Sequence, residues 1–363
     1  MNASVTINFL GDVMLGERFE KFNRGVISQE KKNINPFKYS NKDLVDADLT
    51  VANLECVVSH VSTKSYPFSK FMLIEPERLN ILLKNNIKIV NIANNHIFDH
   101  GDEAFFETRK NLEEIGIKYF GFGESKSMQT EPVNINVGNK TIGFLGYDLS
   151  NTSKEIFRKK VNEILNVLES INKTQNILVL SLHWGYEYTD IPTSFMIDAA
   201  KKFIEKGVDI IYGHHPHILQ GVTKLNNKIF APSLGNFIFD DEREKNRFTG
   251  ILKVFVDIND NLDYSFKPFF INERFQPIHE KSKEKDFLKL TNKLKKQIKL
   301  IETNSIKCET IDNDIIKTSN IGHLMNKKRV RKEIISNFKN YIPFIVPIFQ
   351  DKIINKRLKK LFN

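Results

Sequence analysis

Five short segments of this chain end apolar runs with side chains that can ligate a metal. They are Gly11-Asp12, Asn53-Leu54-Glu55, Asn94-Asn95-His96, His183-Trp184-Gly185-Tyr186-Glu187 and Gly213-His214-His215-Pro216-His217. Carboxylate, carboxamide and imidazole together make a donor set for a metal site. His215-Pro216-His217 is the strongest of the five: two imidazoles one residue apart can reach two metals or two positions on one, and Gly213 lets the backbone turn sharply. The alternative is a surface loop that happens to be rich in histidine. Asn95 offers a neutral carbonyl, and His96 beside it could give a proton to a leaving group. Asn and Asp also serve turns and caps, the competing role here for Asn94, Asn95 and Asp99. Glu55 can bridge two cations, or be a solvated residue after its strand. Glu187 could orient a ligand histidine or touch substrate. Trp184 either lines a pocket or packs.

These groups need elements that bring them together. The apolar runs are residues 7–10, 49–52, 87–93, 177–182 and 208–212, each read as a buried strand. Strand ends in an open α/β sheet converge on one edge, where ligands bind. Between the runs, residues 102–115 read as a helix stopped by Gly116, and 154–171 as another. Ser194 is placed to cap a third, with Ile197, Ala200, Phe203 and Ile204 on its apolar face and Gly207 as its stop. Gly138-Asn139, Asn226-Asn227 and Asp260-Asn261 mark hairpins. The mixture predicts two packed sheets with helices outside, and no internal repeat.

Past residue 275 the character changes. Phe287, Leu290, Leu294, Ile298 and Ile301 recur at helical spacing opposite a Lys-rich face. Residues 304–320 read as a polar loop, and 327–340 and 352–362 as further basic amphipathic helices. The chain is thus divided into a domain over 1–280 and a basic extension over 281–363.

Residues 281–363 carry 21 Lys+Arg against 8 Asp+Glu, a net of +13, whereas the 363-residue chain is +10 and residues 1–280 total −3. Basicity belongs to the tail and not to the strand ends. The tail has few aromatics and no nucleic-acid motif, so nucleic acid ranks last among partners. The 352–362 segment could lie on an anionic membrane surface or pack as a plain helix. The apolar stretch 342–349 falls far short of the roughly 20 residues that span a bilayer. Cys56 and Cys308 make no disulfide framework. The expected location is cytoplasmic, with peripheral contact at the inner face of the membrane as an option.

The blocks Gly11-Asp12-Val13-Met14, Asn53-Leu54-Glu55, Ala93-Asn94-Asn95-His96-Ile97-Phe98-Asp99-His100-Gly101, His183-Trp184-Gly185-Tyr186-Glu187-Tyr188, Gly213-His214-His215-Pro216-His217 and Ser233-Leu234-Gly235-Asn236-Phe237 resemble, in order, the signature of the CapA family. Its members are bacterial capsule and poly-gamma-glutamate synthesis proteins, a branch of the calcineurin-like metallophosphoesterases. The resemblance covers about residues 5–275 and implies an α/β fold, a four-layer α/β/β/α sandwich. It also implies one or two divalent metal ions, Mn, Fe or Zn. By position, Asp12 and His217 would hold the first metal, Glu55 would bridge, and Asn95, His183 and His215 would hold the second. His96 would be the general acid. Asn53, Glu187, Tyr188, His214 and Asn236 would surround this set as substrate contacts or supports. The implied substrate is a phosphorylated compound of surface-polymer synthesis; a non-hydrolytic assembly or export role is the alternative. One departure stands out. The wider superfamily begins Asp-x-His, and here Met14 puts a thioether, a poor ligand for a hard cation, where that histidine would be.

Overall fold

Val5–Val13 is the strand on which the first sheet is built. It pairs in parallel with Leu49–Leu54, which pairs with Ile87–Asn91, which pairs with Lys118–Phe120. On its other side Phe248–Val256 runs antiparallel, followed by Leu262–Ile271 and Pro277–His279, while Asn236–Ile238 pairs with its C-terminal end. The second sheet centres on Ile177–His183, with Lys140–Asp148 and Ile210–His214 parallel to it on either side. Lys228–Ala231 continues that sheet, and Val133–Val137 and Thr223–Leu225 close its edges. This computed structural model describes residues 5–18, 25–64, 70–172, 174–303 and 305–336.

The two sheets face each other across a dry layer. Ile7, Phe9, Val51 and Ile89 from the first meet Phe144, Val179, Ile210 and Tyr212 from the second. The Phe9 and Tyr212 rings sit 4.8 Å apart. Strands covered on both faces must be apolar on both, which is why the runs are continuous and not alternating. Leu82, Phe105 and Leu112 bring helices onto the outer face of the first sheet. Phe157, Ile164, Ile197 and Phe203 do so on the second, from the helices Lys154–Ser170 and Ser194–Glu205. The result is the four-layer α/β/β/α sandwich expected.

Local signals were mostly met. Hairpins form at all three predicted turns, with Gly138, Asn226, Asn227 and Asp260 at positive φ. Gly116 and Gly207 end their helices at φ +76° and +94°. Two expectations need correcting. Thr193, not Ser194, is the cap, its hydroxyl accepting from the Met196 N–H. Residues 305–320 are not a loop but the first half of a helix, Ser305–Ser336. That helix buries Asp312, Ile315 and Ser319, spaced three and four apart, a stripe too narrow and too polar to stand out.

The Glu284–Thr303 helix follows its predicted apolar face onto the body of the molecule. Phe287 stacks on Phe266 with centroids 4.0 Å apart, and Leu294 and Ile298 join the outer core of the second sheet. Residues 342–349 and 352–362, and with them the membrane-surface expectation, lie outside the described residues, as does the end of the 327–340 segment. Among the described residues no helix is long and apolar enough to cross a membrane.

Candidate metal centre

Strand register brings the polar residues to one edge. Asp12 sits opposite Asn53 on one neighbouring strand and Asn236 on the other; Asn53 in turn faces Asn91. In the second sheet His183 is registered with His214. Close backbone approach is required at two glycines. A Cβ on Gly11 would fall 2.0 Å from the Gly235 carbonyl oxygen, and the next N–H, of Asp12, donates to that oxygen at 2.9 Å. A Cβ on Gly213 would fall 1.9 Å from the Pro232 oxygen, which also accepts from the Trp184 indole. Trp184 is fully buried and packs beside Phe157 and Phe230.

The turn after Gly213 is strained. His215 and His217 adopt φ +93° and +56°, and Tyr188 adopts +68°. Each non-glycine residue held this way costs roughly 1–3 kcal/mol and persists only where its surroundings over-determine it. Here the Tyr188 N–H donates to the Pro216 carbonyl at 2.9 Å, locking one loop to the other.

Asp12, Glu55 and His183 present ligand atoms within 4.8 Å of one another, and all three are fully buried. His217 Nε2 and His96 Nε2 each lie 3.8 Å from Glu55 Oε1. Asn95 Oδ1 is 2.8 Å from His183 Nε2, and the His215 ring lies 5.0 Å from that of His183 and 6.3 Å from that of His217. The expected ligand set therefore converges, with His215 looser than the rest. Around it stand supports. The Asn53 amide donates to Asp12 Oδ1 at 2.9 Å and to Glu55 Oε2 at 3.3 Å. His214 Nδ1 approaches the same Asp12 Oδ1 to 2.9 Å, and Asn236 Oδ1 holds His217 Nδ1 at 2.9 Å. Glu187 neighbours His215 and His217 electrostatically, while Tyr188 points its ring at Arg243. Met14 is fully buried in the apolar cluster and supplies no nitrogen.

Electrostatics follow from burying two carboxylates side by side. Burial, then the neighbouring Asp12, push Glu55 well above the ordinary carboxyl range. Asp12 moves the other way: burial alone would raise it, but His214 and His217 hold it well below its usual value. Burial lowers His183 well below the ordinary imidazole value and His215 to about 4, so both are neutral with lone pairs free. Burial also acts against the charged form of His217, but Asp12 outweighs it and its pKa rises.

Whether these residues suit a cation can be tested on their unpaired atoms. Asp12 Oδ2, Glu55 Oε1, His183 Nδ1 and His215 Nδ1 are all buried without a hydrogen-bond partner. Leaving one such atom unpaired costs roughly 1–3 kcal/mol, so four in one place ask for a shared partner. Mixed nitrogen and oxygen donors around paired carboxylates suit a divalent metal ion. The residues fit.

Sequence reasoning missed three supports. Asp99, read as a cap, instead accepts from His96 Nδ1 at 2.9 Å, which leaves Nε2 on the side of Asn95 and Glu55. Asn91 donates to Asn53 Oδ1 and Asn94 to the Leu54 carbonyl, fixing the amide between the carboxylates. The Arg18–Asp240–Asp241–Arg243 network beside Tyr188 joins residues 222 apart in sequence and left no local signal.

A family profile described as "Bacterial capsule synthesis protein PGA_cap" matches residues 6–241. The PGA biosynthesis protein CapA of Bacillus subtilis (strain 168) is 25% identical over 280 residues, covering 74% of this chain and 72% of the relative. The capsule biosynthesis protein CapA of Bacillus anthracis is 26% identical over 288 residues, covering 75% and 69%. Among solved structures, a hypothetical protein from Thermus thermophilus superposes with a TM-score of 0.49 at 11% identity, over 73% of this chain and 99% of that one. A 5'-nucleotidase from Candida albicans gives 0.40 at 11% identity, over 87% and 57%. Scores below 0.5 are too low to transfer a function.

Proposed function

The chain belongs to the bacterial capsule synthesis protein family PGA_cap, and from that premise we propose that it is a divalent-metal-dependent hydrolase of a phosphoester in surface-polymer synthesis. The observation that carries this reading is the convergence of Asp12, Glu55 and His183 with unpaired, buried ligand atoms beside a histidine oriented to move a proton.

Asp12 and His217 would hold a first cation, Asn95, His183 and His215 a second, with Glu55 between them. Bound there, divalent cations would supply Lewis-acid polarisation of a phosphoryl oxygen and activation of water. The protein's own residues do the rest. Asn53 and His214 occupy Asp12 Oδ1, while Oδ2 lies 3.3 Å from His217 Nδ1. Asn236 takes His217 Nδ1, so Nε2 is the ligand atom; such outer partners fix the tautomer and ring orientation. Asp99 does the same for His96, whose Nε2 then carries or gives up the proton at the leaving-group oxygen. His96 is 21% exposed where Glu55 is fully buried, so it is the group a substrate can reach. General acid catalysis of this kind contributes roughly 10²–10⁴-fold.

Met14 favours a second reading. Without a nitrogen at that position a first cation would have a sparse donor set, which suits a one-metal or non-hydrolytic assembly component. Metal analysis of the purified protein, with Mn-, Fe- or Zn-dependent hydrolysis of phosphomonoesters and phosphodiesters, separates the two. The hydrolase reading expects bound metal and turnover in the wild type. It expects metal lost in His217→Ala and metal kept with turnover lost in His96→Ala. A wild type that takes up no metal and cleaves nothing across the panel would leave the assembly role standing.

A further inference from the structure

The family match ends at residue 241, yet the Ser305–Ser336 helix reaches back to the loop that carries Glu187 and Tyr188. We propose that this helix is a strap that positions Tyr188 against the His215-Pro216-His217 turn, so that part of the site's wall is set from outside the matched segment.

One end of the strap is anchored. The Asp312 carboxylate accepts from the Ser194 N–H at 2.7 Å and from the Ser194 hydroxyl at 2.5 Å. This puts a negative charge at the N-terminus of the Ser194–Glu205 helix, where the helix dipole favours it. The preceding helix adds a bond from the Gln297 amide to the Pro192 carbonyl and an ion pair, Lys293 to Asp190, at 2.8 Å. Together these grip the stretch that follows Tyr188.

Further along, the strap meets Tyr188 itself. Gly322 lies so close that a Cβ there would fall 2.6 Å from Tyr188 Cδ2 and 2.8 Å from its Cβ. His323 packs edge-on to the same ring, centroids 4.9 Å apart, with Nδ1 3.8 Å from Glu187 Oε2. Arg329 reaches Glu242 at 3.1 Å. The Tyr188 ring also lies 3.7 Å from the Arg243 guanidinium. The ring is thus contacted by both the strap and Arg243, and the Tyr188 backbone, at φ +68°, donates to Pro216 between the two histidines. A push on the ring is transmitted to the turn.

Gly322 makes the idea testable by sign. In a helix that touches nothing, Gly→Ala stabilises by about 0.5–1 kcal/mol. Here the added methyl meets Tyr188, so the substitution should loosen the loop. Full-length Gly322→Ala and Gly322→Leu would be compared with the wild type and with Lys317→Ala, an exposed position on the same helix. The first readout is amide exchange by mass spectrometry over residues 186–190 and 213–217. The second is titration with Co²⁺, followed by its visible absorption.

The strap predicts exchange at least tenfold faster over both segments in Gly322→Leu, a smaller change in the same direction in Gly322→Ala, and none in Lys317→Ala. The Co²⁺ spectrum should shift in Gly322→Leu. In a Tyr188→Ala background the Gly322 substitutions should add nothing. Unchanged exchange in both Gly322 variants would overturn the strap. The Co²⁺ arm rests on the metal-centre reading and the exchange arm does not. A wild type that binds no Co²⁺ would therefore count against the metal centre and leave exchange to decide the strap.

Discussion

Asn53 places one amide between two buried carboxylates, and His96 and Asp99 form a pair at their rim. The pair makes a graded expectation. Asp99→Asn should keep bound metal and lower kcat by about tenfold to a hundredfold, less than removal of the proton donor itself. Steady-state kinetics with metal content measured on the same sample would check it. Glu55 gives a second. Its folded-state pKa is raised, so the metal-free folded protein holds a proton there that the unfolded chain has already lost. Stability of the metal-free protein should fall as pH rises from the ordinary carboxyl value near 4.5 toward the raised folded one. Glu55→Gln should abolish that part of the slope, giving the variant its advantage on the alkaline side, and should lose metal affinity. Melting in chelator across pH, wild type minus variant, reads it. At this scale the ligand types were legible because each closed an apolar run. Asp99 was not, since an acid three residues past a histidine before a helix looks like a cap; only the folded turn shows it facing His96 Nδ1.

At the scale of elements, the turn after Gly213 is tightly constrained by close backbone contact and positive φ at His215 and His217. Gly213→Ala would force a methyl into the Pro232 carbonyl and the Trp184 indole. Backbone cannot yield as a side-chain tip does, so the loss should be at the upper end of overpacking, about 3 kcal/mol or more. Chemical denaturation would show it, with the midpoint lowered. Strands were readable because burial on both faces leaves no polar alternation to confuse with a loop. The Ser305–Ser336 helix was not readable over its first half. Its stability comes from three buried positions and the Asp312 bonds to Ser194, and tertiary contact of that kind overrides a weak local pattern.

For the whole molecule, the late helices complete the layers and do not hang from them. Leu294 is fully buried among residues of the second sheet's outer core. Leu294→Ala should therefore cost about 2–5 kcal/mol and move the main unfolding transition, measured as one cooperative step. If the segment beyond 280 folded independently, that transition would stay where it is. Among the described residues, the lysines of the Glu284–Thr303 helix line the exposed face of a helix whose other face is core.

The candidate centre draws on Asp12 near one end of the chain and on Asn236, which meets it on the adjoining strand. During synthesis the chain emerges from its N-terminus, so Asp12, Glu55 and His96 leave the ribosome long before the histidines that face them. The half-site made first is mostly carboxylate and amide, a weak and unselective trap for cations. Imidazoles at 183, 215 and 217 arrive only when the second sheet closes. If the proposed metal centre holds, loading would thereby be tied to completion of the fold, and an arrested or truncated chain would hold its ions loosely.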